Sequence, residues 1–226
     1  MPTVLLSRIE PGLEKSEEEH RREICTAGRW LYEQGFVPSA DGNLSIRLSD
    51  DRILVTPAGV CKGRLEPEDL LTTDVNGRTL EGRGAPSTEL KMHLLVYRLR
   101  ADVKAVCHAH PPIATGYAAA GVALDKPLLA EVVVTLGTVP LAPFALPGST
   151  ELSAVLKPFI ERHNAILMAN HGVVSFGPDL LTAFRRMECV EHYARVSLVT
   201  ELLGKQCLLS DGDVEKLLAV YPRPKD

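Results

Sequence analysis

Nowhere in this 226-residue chain do apolar residues run on for the roughly 20 positions that a membrane-spanning helix needs. Even "AILMANHGVVSF" is interrupted by polar groups, and the opening "MPTVLLSRIEPG" closes its short apolar run with Arg8 and Glu10, too soon for the core of a secretory signal. No membrane role is expected. A basic surplus is missing as well: 25 Lys and Arg stand against 29 Asp and Glu, a net charge of −4, so nucleic acid and anionic lipid are poor partners. The five cysteines (Cys25, Cys61, Cys107, Cys189, Cys207) are odd in number and widely spaced, which argues against a disulfide framework and for a reducing, cytoplasmic setting. There is no internal repeat, and no linker long enough to separate a second domain from the first. Residues 1–226 are expected to form a single domain, with 1–16 as a loosely ordered N-terminal segment.

What is present is a mixture of helical and extended patterns. Residues 17–35 place Ile24, Ala27, Gly28 and Leu31 on one helical stripe, with acids in the first turn and Gly35 beyond the end. "SADGNLSIRLSDDRILVTPAG" reads as a hairpin, and Asn76-Gly77 marks a second, tight one. A helix over 88–100 has Ser87 as its expected cap. "AVCHAHPP" and "AEVVVTLGTVPLAPF" read as strands, and 149–163 as a helix kinked or broken at Pro158. A strand, a turn at His171-Gly172 and another strand follow, then helices from about Leu180 to Leu203 and over "DGDVEKLLAVY". The fold class is therefore α/β, a sandwich of helices on a largely antiparallel sheet.

Two imidazoles stand one residue apart in "AVCHAHPPI", residues 105–113. Side chains two apart on a strand share a face, so His108 and His110 point together, and Pro111-Pro112 closes the strand beyond them. Catalytic zinc commonly takes three protein ligands and keeps a fourth position open. Of the remaining histidines only His171 lies at the end of an apolar, strand-like run; His20, His93, His163 and His192 fall on or near helices. That sorting favours a 108/110/171 site, and alternation turns Cys107 away from it. Ser87 and Thr88 put two hydroxyls at a helix start, where free amides suit an anion, although Ser87 could equally be an ordinary cap. Glu89 reads either as charge compensating the helix dipole or, if it lies near the metal, as a reacting carboxylate.

Taken in order and with their spacing, "SADGNLSIR", "VTPAG", "APSTE", "VCHAHPP" and "NHGVVSFG" resemble the class II aldolase/adducin family, over about residues 18 to 221. The resemblance implies a three-layer sandwich with a mostly antiparallel central sheet flanked by helices. It implies a homotetramer with active sites near subunit interfaces. It also implies His108, His110 and His171 as ligands of Zn2+, or of Mn2+ or Co2+, and Glu89 as the acid/base carboxylate. Gly42, Asn43, Ala58, Gly59, Ser87 and Thr88 would hold the phosphate of a small sugar or sugar-phosphate substrate, with Tyr221 as a second catalytic group from the C-terminal segment. The expected reaction is retro-aldol cleavage of a phosphorylated ketose to dihydroxyacetone phosphate and an aldehyde. Epimerases, decarboxylases and dehydratases of the superfamily share its enolate chemistry, and adducin's head domain is an interaction module. Two positions depart from the family pattern: Ala58 lacks the hydroxyl found before the glycine, and Glu131 stands roughly where a tyrosine is offered to a neighbouring subunit.

Overall fold

The computed structural model describes residues 15–222, so the loose segment expected over 1–16 lies outside the described residues up to residue 14. Ser16 already caps a helix. Its hydroxyl accepts the Glu19 N–H while the Glu19 carboxylate accepts the Ser16 N–H, a reciprocal cap that starts α1 (Glu17–Glu33).

One sheet runs through the molecule. Its strands are β1 (Asn43–Arg47), β2 (Ile53–Val55), β3 (Leu71–Thr73), β4 (Thr79–Glu81), β5 (Ala105–Ala109), β6 (Leu141–Ala142), β7 (Ala165–Met168) and β8 (Gly172–Gly177), in the order β4-β3-β2-β1-β5-β8-β7-β6. The sheet is mixed. β6 lies parallel to β7, because the chain between them is a crossover through a helix rather than a hairpin; the other neighbours are antiparallel. The remaining helices are α2 (Leu90–Leu99), α3 (Pro112–Ala119), α4 (Ala130–Thr135), α5 (Thr150–Ile160), α6 (Leu180–Leu202) and α7 (Asp211–Val220). Strand alternation divides the core in two. Leu44, Cys107 and Leu167 face a layer built from α1, α3, α4 and α6, whereas Val106, Ile166 and Val174 face α2 and α5, which gives the three layers expected. No helix among the described residues is long and apolar enough to cross a membrane.

Several local expectations are corrected. Residues 130–135, rich in β-branched valine and expected as strand, form α4, where burial of Val132 and Val133 outweighs a weak local preference. The two prolines after His110 begin α3 instead of merely ending a strand: Pro112 occupies the first helical position, where its missing N–H is no loss. The free amides of Ile113 and Ala114 donate to the buried Glu191 carboxylate of α6. Ser87 is not the cap of α2, which begins at Leu90 with Glu89 in the capping position; the Ser87 hydroxyl, just before the cap, accepts the Glu89 N–H. Pro158 does not break α5 at that point, since the helix continues through it to Ile160. The turn at Asn76-Gly77 is a five-residue loop, closed by Asp74 N–H donating to the Arg78 carbonyl, rather than a two-residue one.

α1 packs on a short 3-10 turn, Lys62–Arg64, so closely that a Cβ added at Gly28 would sit 2.6 Å from the Lys62 carbonyl oxygen. Backbone cannot yield there as a flexible side chain can. Gly28→Ala is expected to destabilise the protein by about 1–3 kcal/mol, the usual range for overpacking, read as a lower midpoint in urea unfolding.

Candidate metal centre and active site

β5 places His108 on the α2 face of the sheet, where its register partner on β1 is Asn43. His110 follows one residue after the strand ends, its N–H donated to the Phe36 carbonyl. His171 closes the turn between β7 and β8, directly after Asn170, which adopts a left-handed backbone (φ 58°) that asparagine tolerates. Gly172 opens β8 because a Cβ there would lie 2.7 Å from the Ala109 carbonyl oxygen and would strike the His110 ring.

The three rings converge. Their metal-ligating atoms all lie within 4.8 Å of one another. His108 Nδ1 donates to the Val173 carbonyl at 2.8 Å, which fixes its proton there and leaves a lone pair on Nε2, facing His110 Nε2 at 3.1 Å. Two ring nitrogens aimed at each other need a cation or a proton between them, so the donor set fits a divalent ion. Burial, together with the neighbouring rings of His108 and His171, pushes the His110 imidazole down to about 4, so it is a neutral donor at pH 7. Cys107 points into the opposite core layer, where burial pushes its thiol up to about 12, unsuited to act as a thiolate ligand.

Glu89 stands at the edge of this cluster. Its Oε2 is 3.2 Å from His108 Nε2 and its Oε1 is 3.0 Å from His171 Nε2. Burial alone would raise its carboxyl, yet the His108 and His171 rings hold it far below the usual carboxylate range. The orientation of this carboxylate is set by a buried chain of hydrogen bonds whose directions follow one from another. A carboxylate only accepts, so Asn43 turns its NH2 to Glu89 Oε2 (2.9 Å) and to Ser87 Oγ (3.2 Å). Asn43 Oδ1 must then accept from His93 Nε2 (2.6 Å). His93 Nδ1 in turn accepts from Ser45 Oγ (2.7 Å), and Ser45 accepts from the Tyr97 hydroxyl (2.7 Å). From the sequence His93 is only a helix histidine. Its spacing, four residues after Glu89 and so on the same side of α2, was the available signal.

Burial, with the His108 ring nearby, pushes His93 down to about 3 from an ordinary 6.5. Below pH 6.5 the unfolded chain therefore binds a proton that the native state refuses. The stability this group contributes is complete above pH 6.5 and is lost as pH falls toward 3, by about 1.4 kcal/mol per pH unit. His93→Gln retains a donor to Asn43 but not the titration. Its urea-unfolding stability is expected to fall less steeply than wild type between pH 6 and 4, and parallel curves would refute this assignment.

Beside Glu89 and His110 lies a pocket of about 220 Å³, and all six residues expected to hold substrate line it: Gly42, Asn43, Ala58, Gly59, Ser87 and Thr88. Ala58 offers less than the others, because its N–H is spent on the Ala85 carbonyl at 2.9 Å. Asp41, which lies within "SADGNLSIR" but has no expected role there, and Lys62, which lies outside every motif, line it too. Tyr221 is not among the lining residues; it caps α7, with 61% of its surface exposed.

A family model described as the Class II Aldolase and Adducin N-terminal domain matches residues 22–198. The chain belongs to the class II aldolase and adducin family. It is 34% identical over 189 residues to a 3-oxo-tetronate 4-phosphate decarboxylase of Pectobacterium atrosepticum, covering 81% of this chain and 86% of that one. It is 31% identical over 203 residues to a 5-deoxy-D-ribulose 1-phosphate aldolase of Bacillus thuringiensis serovar kurstaki, covering 88% and 94%. Among solved structures, an L-fuculose 1-phosphate aldolase superposes with a TM-score of 0.84 at 29% identity, covering 92% of this chain and 98% of that one. This member of the family thus resembles enzymes with different named reactions to similar degrees, so its membership fixes the superfamily and not the bond that is broken.

Proposed function

We propose that the protein is a divalent-metal-dependent carbon–carbon lyase that cleaves a small phosphorylated ketose to dihydroxyacetone phosphate and an aldehyde. The observation that carries this reading is the adjacency of two things: the His108, His110 and His171 cluster with Glu89 at its edge, and a polar pocket that begins at Glu89 and extends toward Ser87, Thr88 and Gly59. A divalent ion held by the three imidazoles, for which Zn2+, Mn2+ and Co2+ are all suitable, supplies Lewis-acid stabilisation of negative charge developing on the ketose oxygens.

The chain's own residues do the rest. Ser87 and Thr88, which line the pocket, hold the phosphate and orient the ketone toward the histidines. As the carbon–carbon bond breaks, its electron pair stays with the ketone fragment, the leaving carbon becomes an aldehyde, and the proton from that carbon's hydroxyl is released to water in the pocket. Glu89, an ionised carboxylate fixed by Asn43, takes up one proton from that water and passes it to the carbon that kept the electron pair, which returns Glu89 to its ionised form. Tyr221, exposed on its own chain, would contribute only by entering a neighbouring protomer's pocket in the expected homotetramer.

Decarboxylation is the second reading, favoured by the likeness to the Pectobacterium atrosepticum protein; carbon dioxide would leave in place of the aldehyde, and Glu89 would protonate the same kind of carbon. The deciding experiment measures metal content and then products. About one ion per chain with chelator-sensitive dihydroxyacetone phosphate release from a panel of ketose 1-phosphates supports aldol cleavage. Carbon dioxide from 3-oxo sugar acid 4-phosphates, without triose release, moves the assignment to the decarboxylase. Neither product, with no metal bound, overturns the lyase reading in favour of an interaction module.

A further inference from the structure

One cation in the pocket wall belongs to none of the sequence motifs. Lys62 is among the largest fully buried side chains, at 1% exposure. Its ammonium donates to the Ala40 carbonyl at 2.9 Å and the Val60 carbonyl at 2.7 Å, which uses two of its three hydrogens. Among the described residues it makes no ion pair. Its titratable neighbours are Cys61 and, with a smaller effect, Asp41, which lies beyond pairing distance, is half exposed, and stands 3.6 Å from His110 Nδ1. An ammonium removed from water without a counter-charge is unfavourable, and burial accordingly lowers its proton affinity.

The fold nevertheless holds it in place. Its carbonyl rests on Gly28 of α1, and a Cβ at Gly63 would meet the Tyr32 ring at 2.5 Å, so the turn carrying Lys62 is pressed against the helix on both sides. The two carbonyls it grips belong to the chain segments entering β1 and following β2, and these segments frame the pocket that Gly42 and Gly59 line. Along the second segment Ala58 provides neither hydroxyl nor free N–H.

We infer that Lys62 is the specificity-determining cation of this pocket, supplying through its third hydrogen and its charge the interaction that selects a phosphate dianion over an uncharged substrate terminus. This rests on the lyase reading for its choice of ligand, but it assigns to Lys62 a role that the six family positions do not carry.

The test titrates inorganic phosphate into metal-loaded wild type, Lys62→Arg, Lys62→Gln and Lys62→Met, with thermal midpoints measured alongside. Gln keeps a donor for the loop carbonyls without the charge, so it separates charge from loop tethering. Phosphate affinity is expected to fall about 10–100-fold in Lys62→Gln and Lys62→Met, the range for losing a charged hydrogen bond, and to stay near wild type in Lys62→Arg. A lowered thermal midpoint with unchanged phosphate affinity in Gln and Met makes Lys62 a loop tether only and overturns the inference. Failure of wild type to bind phosphate overturns it as well. Failure of the lyase reading is seen separately, in the products formed by wild type.

Discussion

His108→Ala is expected to lower bound metal from about one ion per chain to a trace, and turnover by about a thousandfold or more, since Lewis-acid charge stabilisation of several kcal/mol scales to that factor. The ring is wholly buried, on the central strand β5, with Nε2 toward His110 and Nδ1 donating to the Val173 carbonyl. Its removal therefore leaves two imidazoles and a buried cavity. The cavity costs on the order of 2–5 kcal/mol of stability, so part of the loss of activity would come from unfolding. His110→Ala resolves the ambiguity. That ring is partly exposed, its Nδ1 is 3.6 Å from Asp41, and its truncation should scarcely alter the folded state. Metal content by elemental analysis, beside far-ultraviolet circular dichroism, distinguishes the cases: both variants folded and metal-poor is the expected result, and a full complement of metal in folded His110→Ala would remove the three-histidine site.

The convergence of the three histidines was legible because their signals are local. A His-x-His on an alternating apolar run and a histidine at a strand end followed by glycine need only strand periodicity to be read. α1, the first hairpin and α6 were legible for the same reason: each carries its own period, cap or turn residues. What failed depends on the rest of the chain. Three consecutive valines at 132–134 favour a strand until their burial against neighbouring helices is known. α3 is supported by Glu191, nearly 80 residues later, and no reading of "HPPIATGY" could supply that partner. His93 and Lys62 are likewise set by tertiary placement. One becomes a relay to Asn43 only because β1 pairs beside β5; the other becomes a pocket cation only because Gly28 lets its turn approach α1.

Glu89→Gln is the companion prediction, with the opposite signature: metal retained, turnover reduced by about 10²–10⁴-fold, the range for loss of a positioned acid or base. The substitution is nearly isosteric, and the hydrogen-bond chain dictates which way the new amide turns. Asn43 presents NH2 because its oxygen is committed to His93, so the introduced glutamine must put its carbonyl oxygen toward Asn43 and its NH2 toward His171. That orientation preserves the contact which holds the side chain, keeps the three imidazoles in place, and leaves no group able to carry a proton between solvent and substrate carbon. The expected split is therefore a fall in kcat with little change in KM or in metal per chain. Wild-type kcat in the variant would take Glu89 out of proton transfer. Loss of the ion would instead mean that the carboxylate, at 3.0 and 3.2 Å from two of the imidazoles, is needed as a fourth ligand, and the open coordination position required for a substrate oxygen would have to arise by its displacement.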